Sequence, residues 1–349
     1  MDLFSGGGCG SAGARHAGLT MVAAADAWDI AARTYQDNFK EAEVVTARLT
    51  DSSGPELFSR LGKIDMLIAS PECTHHSIAR GNKPVDEESR RSGWYVMNFI
   101  RKLDPRWIVL ENVTPMRHWS GFDHLITELK KIYKLRIEPL DAADFGTPQN
   151  RKRLFIMGDK LATPSLVKPI IRSERDASSI LDRAGAYAAE PVYNGKRAAS
   201  TIGRVERGIA ELGRKKDFLI VYYGSDRAGG WQRLDRPLRT LTTLDRFGLV
   251  QWIDGEPTLR MLQVPELKRA MGLTHLKDHH GEGVKFGLEN GTRRDKIKVL
   301  GNGVCAPVMR AVVGSLIGGG ASDLLEEDLR PRRTGKTAVR RSGKKSVRH

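Results

Sequence analysis

Within its first 160 residues the chain alternates short, wholly apolar runs with segments of helical periodicity. "MDLF" ends a strand, "SGGGCG" is a glycine turn, and "SAGARHAGL" reads as a helix closed by Gly18. "TMVAAADA" is a second strand, followed by the helical "DIAARTYQDNF". "KIDMLIAS" and "RWIVLENV" are buried strands separated by the amphipathic "EESRRSGWYVMNFIRKL". "GFDHLITELKKI" is a helix before a last strand, "RLFIMGD". Strands apolar on both faces must be covered on both faces, so this alternation predicts a parallel sheet between two helical layers. Right-handed crossovers make it doubly wound. The expected class is α/β, with a doubly wound, mostly parallel, Rossmann-like sheet over residues 1–160.

From 161 to 235 the periodicity weakens while Arg, Gly and Ser rise, which predicts a separate, smaller lobe. Helical patterns return in "RMLQVPELKRAMGL" and "NGVCAPVMRAVVGSLIGG", placing a third unit over 236–320. Residues 321–349 read as a basic, disordered tail. Net charge is +15, and the excess lies in two places. Between Lys160 and Arg239 there are 16 Lys/Arg against 9 Asp/Glu, and from Arg330 onward nine Lys/Arg and no acid. A polyanion partner accounts for this, because each neutralised phosphate releases counterions; a solvated basic surface accounts for it too. No run approaches 18 consecutive apolar residues and no secretory signal is visible, so no membrane partner is expected. Cys9, Cys73 and Cys305 are far apart and odd in number, predicting free thiols in a reducing cytoplasm.

Four short stretches carry chemistry. In "DLFSGGGCGSAG" a strand runs through glycines into a helix, an arrangement that cradles a cofactor or merely packs tightly. Asp26 ends the second strand where a carboxylate can bind ribose hydroxyls, and Trp28 can lie against an adenine ring. Cys73 follows a buried strand at the carboxyl edge of the sheet, as a nucleophile or as inert packing. The adjacent His75 and His76 lack the further ligands a zinc site needs, so no metal site is expected. Glu111 ends another buried strand on the same edge; shielded from water it can hold a proton for donation, or it can serve as a helix cap or structural ion pair. Arg151 and Arg153, two apart before a strand, project to one face and suit planar oxygen acceptors.

Taken in order, the glycine loop, Pro-x-Cys, Glu-Asn-Val, Gln-x-Arg-x-Arg, a basic insertion and a terminal "GNGV" resemble the cytosine-C5 DNA methyltransferase family from about Asp2 to Leu316. The resemblance implies a class I methyltransferase using S-adenosylmethionine, with a target-recognition lobe over 161–235 and double-stranded DNA as partner. It implies that Cys73 adds to cytosine C6, that Glu111 protonates toward N3, that Arg153 contacts the base and that Arg151 supports the site. Cofactor contacts fall on Asp2, Phe4, Ser5, Gly6, Gly8, Asp26, Trp28, Pro71, Asn302 and Val304. Ser77 matches a loop residue closing over the substrate, and Asn112 and Gln149 are placed on the substrate side. A tRNA-directed relative shares this chemistry, and a catalytically inactive nucleic-acid-binding relative is the further alternative, against which the retention of Cys73, Glu111 and both arginines argues. A monomer is usual for the family, and whether a restriction enzyme accompanies the protein stays open.

Three departures stand out. Ser70-Pro71-Glu72-Cys73-Thr74 replaces the usual Pro-Pro-Cys-Gln, setting a carboxylate beside the thiol. "TAR" follows "EAEVV", where an acidic residue for the adenine amino group is expected. Met1 abuts the first motif, which is consistent with an upstream start.

Overall fold

The computed structural model describes residues 1–71, 92–169, 176–223, 229–278 and 280–318. Among these, seven strands form the central sheet: β1 (Asp2–Leu3), β2 (Ala23–Asp26), β3 (Glu43–Thr46), β4 (Met66–Ala69), β5 (Trp107–Asn112), β6 (Lys134–Asp141) and β7 (Lys152–Asp159). Their order is β3-β2-β1-β4-β5-β7-β6. β7 alone runs antiparallel to its neighbours, so the sheet is doubly wound and mostly parallel. The reversal follows from chain length: residues 142–151 between β6 and β7 are too few for a parallel crossover, which needs a dozen or more. β3 and β6 have no counterpart among the apolar runs. Both are edge strands, half-exposed, and "KLRIEPLD" carries a proline that only an edge tolerates.

β1 lies between β2 and β4, with Asp2 opposite Ala24 on one side and Ile68 on the other. The winding reverses here, and a crevice opens beyond the carboxyl ends of the strands. β5 feeds both layers. Val109 packs with Cys9, Tyr35 and Val312 on one face, while Ile108 packs with Tyr95, Phe99 and Leu125 on the other. The first face is covered by α1 (Cys9–His16) and α2 (Asp29–Asn38), the second by α3 (Ser92–Leu103) and α4 (Phe122–Lys130).

A second sheet, antiparallel, holds β8 (Glu190–Pro191), β9 (Phe218–Val221), β10 (Trp231–Arg233), β11 (Phe247–Ile253) and β12 (Glu256–Met261) in the order β10-β9-β11-β12-β8. Helix α5 (Ala199–Leu212) packs on it through Val205 against Phe218, Ile220 and Val250. The expected boundary at 235 therefore falls inside this lobe, because the β11–β12 hairpin supplies two of its strands. Asp254 and Gly255 turn that hairpin with φ of +51° and +83°, the conformation an Asp-Gly pair favours. "RMLQVPELKRAMGL" is correspondingly not all helix: its first residues end β12, and α6 spans Val264–Ala270.

The C-terminal pattern divides into α7 (Arg293–Asn302) and α8 (Ala306–Ile317), broken at Gly303–Cys305. The stretch Arg293–Ile317 is apolar enough over 18 residues to resemble a membrane span, but it is two helices and its window is 56% buried. α8 packs directly on α1. A Cβ at Gly13 would lie 2.1 Å from the backbone oxygen of Ala306, and backbone cannot swing aside. Gly13→Ala is thus expected to lower stability by about 1–3 kcal/mol in a denaturant titration, despite alanine's better helix propensity. The tail 321–349 lies outside the described residues, as do Glu72, Cys73 and Ser77.

Candidate active site

A cavity of about 340 Å³ occupies the crevice at the carboxyl ends of β1, β2, β4 and β5, with α7 and the turn into α8 as its far wall. Asp2, Phe4, Ser5 and Gly6 line it from β1 and the glycine turn, Asp26 and Trp28 from the end of β2, and Pro71 from the end of β4. Glu111, Arg151 and Arg153 line it from β5 and the start of β7; Asn302 and Val304 line it from the C-terminal side. Gly8 faces elsewhere. It takes φ +86° as the residue capping α1, and a Cβ there would strike the Phe39 ring at 2.6 Å, so Gly7 and Gly10 line the cavity in its place. The helix start at Cys9, which the glycine run does not reveal, decides which glycines face the ligand.

Asp26 shapes the cradle. Its carboxylate accepts the Gly6 N–H at 2.7 Å and the Trp28 N–H at 2.8 Å, tying the glycine turn to the end of β2. Gly6 has φ +53°, and a Cβ there would meet no atom within 4 Å, so the backbone fronts open space. Trp28 is half-buried, with Lys298 Nζ 4.0 Å from its ring centroid. Lys298 also lines the cavity; sequence reading missed it, although it sits one helical turn before Asn302. Below the turn, Tyr35 donates to Ser11 Oγ at 2.9 Å and Ser11 donates to Asp2 Oδ2 at 2.5 Å. Burial pushes the Asp2 carboxyl up to about 7 against that hydrogen bond.

On the β5 side, Glu111 is buried and Arg153 Nε lies 3.2 Å from its Oε1. Burial raises the Glu111 pKa, outweighing Arg153, Arg151 and a hydrogen bond from Ser70, each of which favours the ionised form. Asn112 is buried beside it. Its Nδ2 donates to the Pro71 carbonyl at 3.2 Å and its Oδ1 accepts the Val113 N–H at 2.8 Å, so it braces the exit from β4.

Gln149 does not reach the cavity. It is fully buried: Nε2 donates to Ala270 O and Oε1 accepts the Leu241 N–H, each at 2.8 Å. Arg151 holds the carbonyl of the same residue, donating to Leu241 O at 2.8 Å and to Gly301 O at 2.7 Å. The two residues thus pin the segment between β10 and β11, where the second lobe touches the central sheet. Among the described residues no three of His, Cys, Asp or Glu gather as a ligand set for a metal.

Residues 1–318 match the family described as C-5 cytosine-specific DNA methylase. The chain belongs to that family. It is 30% identical over 182 residues to the Type II methyltransferase M1.HgaI of Avibacterium volantium, covering 47% of this chain and 50% of the relative. It is also 30% identical over 176 residues to M.XorII of Xanthomonas oryzae pv. oryzae, covering 47% and 41%. The chain thus spans half or less of the length of these curated relatives. Among solved structures, the Schizosaccharomyces pombe Dnmt2 methyltransferase aligns with a TM-score of 0.61 at 16% identity, over 91% of this chain and 98% of that one. The Entamoeba histolytica methyltransferase EhMeth aligns at 0.59 and 19%, over 95% and 98%. Those two likenesses speak to the fold, a Rossmann-like methyltransferase. Membership of the C-5 cytosine-specific DNA methylase family implies S-adenosylmethionine as cofactor. The residues present fit it: an open glycine cradle, a carboxylate and an indole at the end of β2, and a cavity within the roughly 300–1,000 Å³ of small-molecule sites.

Proposed function

We propose that the chain methylates C5 of a cytosine in double-stranded DNA, flipped out of the duplex to reach the cavity. The observation that carries this reading is Glu111, a buried carboxyl with a raised pKa, set against Arg153 beside the exit from β4 and in one cavity with the glycine cradle. C5 of cytosine is a poor nucleophile and requires covalent activation. The Cys73 thiolate bonds to C6 while Glu111 gives its proton toward N3, which makes C5 enamine-like and nucleophilic. S-adenosylmethionine, when bound, supplies an electrophilic methyl group. After C5 is methylated, a base removes the C5 proton, the S–C6 bond breaks to return the thiolate, and N3 gives its proton back to Glu111.

Arg153 sits on Glu111 and is assigned the contact to the base; Arg151 is assigned support of the site, through the backbone it holds. Asp2, Phe4, Ser5, Gly6, Asp26, Trp28, Pro71, Asn302 and Val304 are assigned to the cofactor. Asn112 and Gln149 are assigned positioning roles, bracing β4 and the lobe. Ser77 is assigned to the loop over the base. By likeness to the Type II relatives, the reading extends to a companion restriction enzyme with the same target, and to action as a monomer.

Bisulfite sequencing of plasmid DNA from cells expressing the protein tests the proposal. Cytosines protected in one sequence context, and unprotected in cells carrying an empty vector, are the expected result. Unprotected DNA together with label transfer to tRNA would overturn the choice of substrate.

A further inference from the structure

α7 stands between two hollows. Lys298, Gly301 and Asn302 face the cofactor cavity, whereas Arg293, Arg294 and Ile297 line a separate depression of about 470 Å³. Its other wall is Leu244, Asp245 and Arg246. These begin three residues after Leu241, the residue pinned by Gln149 and Arg151, so the depression adjoins that seam through Thr242 and Thr243. Along α7 the offset from Arg294 to Gly301 is about 10 Å at 1.5 Å per residue.

The charges in the depression do not cancel. Asp245 Oδ2 is taken by Arg293, at 2.8 Å from Nη2 and 3.2 Å from Nε. Arg293 further donates to Leu262 O at 2.6 Å and Gln263 Oε1 at 3.1 Å, which makes it a tie rather than a free cation. Arg246 and Arg294 remain as the excess positive charge. Arg246 is held in place by one bond, Nη1 to Tyr222 O at 2.9 Å, which uses one of its five N–H groups. Arg294 is exposed at the rim. The Thr292–Asp295 capping box engages the Thr292 and Asp295 amides, and the guanidiniums carry the full positive charge that attracts an anion. Two planar forks, one pre-positioned, suit a tetrahedral oxyanion.

The geometry points to a phosphate site: Arg246 and Arg294 bind a backbone phosphodiester of the DNA beside the flipped nucleotide, across α7 from the cofactor. This rests on the DNA reading above. It adds a contact that positions the strand without reading its bases.

The test compares the full chain with an Arg246→Gln/Arg294→Gln double variant, titrating fluorescent duplex DNA across a salt series. Loss of one phosphate contact is expected to flatten the slope of log K against log[salt] by about 0.9. KM for DNA should rise about tenfold, with a smaller effect on kcat and no change in S-adenosylmethionine affinity by calorimetry. Lys63→Gln, at the opposite, amino end of β4, controls for loss of charge alone and should leave the slope unchanged. Should the double variant fold poorly, Arg294→Gln alone, on an exposed residue, is expected to flatten the slope by about half as much. A wild-type slope in the variants, or equal flattening in Lys63→Gln, overturns the site while the DNA reading stands. A wild-type protein that binds tRNA and not duplex DNA overturns the DNA reading and this site with it.

Discussion

Cys73→Ala is expected to lower methyl transfer by at least about 10³-fold while duplex DNA is still bound. Pro71 lines the cavity and its carbonyl is fixed by Asn112. In the sequence Cys73 follows that fixed carbonyl by two residues, at the end of the β4 run. Of the three cysteines, Cys9 and Cys305 are buried, and burial pushes their thiols up to about 12 and about 11, which keeps them protonated and inert. Only Cys73 is left to supply a thiolate. Label transfer from S-adenosylmethionine measures activity, and a gel shift measures binding. Equal loss of both would mean that Cys73 holds structure, and transfer that persisted would dismiss it as the nucleophile. Duplex containing 5-fluorocytosine should trap a covalent adduct with the wild type and none with the variant.

Glu111→Gln is the second substitution with a large expected effect, a fall in kcat of roughly 10²–10⁴-fold. Glutamine keeps the volume and an acceptor for Arg153, so the ion pair becomes a hydrogen bond and the fold is spared. What is lost is a transferable proton. Because burial raises the Glu111 pKa, its protonated form persists to higher pH than that of an exposed carboxyl. A general acid acts in that form, so wild-type turnover should decline as pH rises through the folded value, and the variant should lack the decline. Stability carries the same sign. The folded state holds this proton more tightly than the unfolded chain, so unfolding free energy falls as pH rises from the ordinary carboxylate range through the folded pKa. Urea titrations across that window should show the fall in wild type and a flatter profile in Glu111→Gln. Unaltered kcat, or an alkaline decline that survives the substitution, would remove Glu111 from proton transfer.

Residues whose role depends on position along a buried strand could be read from the chain: Glu111 and Asp26 each sit where a wholly apolar run ends, and such runs end at the ligand edge of a doubly wound sheet. Residues whose role depends on packing between distant segments could not. Gln149 looks like a substrate contact until Leu241 and Ala270, far along the chain, arrive to consume its amide. Gly8 looks like part of the cradle until Tyr35 and Phe39 fill the space beside it. β3 and β6 escaped because an edge strand buries too little to show an apolar run. The boundary at 235 was an avoidable miss, since "WIDGEP" carries the Asp-Gly hairpin signal and its flanking residues alternate as strands do. Lys298 belongs with these: its spacing from Asn302 was visible, and its place over Trp28 was not.

The seam at Leu241 has a consequence for exchange between proteins of this architecture. Gln149 and Arg151 grip the N–H and carbonyl of one residue, and the neighbouring pairing, Asn150 N to Leu238 O and Leu238 N to Pro148 O, is backbone to backbone. Every amino acid presents the same two main-chain groups, apart from proline's missing N–H. The side chains of Leu238 and Leu241 are themselves buried in the core, so the socket sets register through the backbone and asks for apolar residues at these two positions. A lobe of foreign sequence and different length that keeps apolar residues at these two positions can therefore be seated in register with Arg151, provided that β11 and β12 are exchanged together with the strands they pair with.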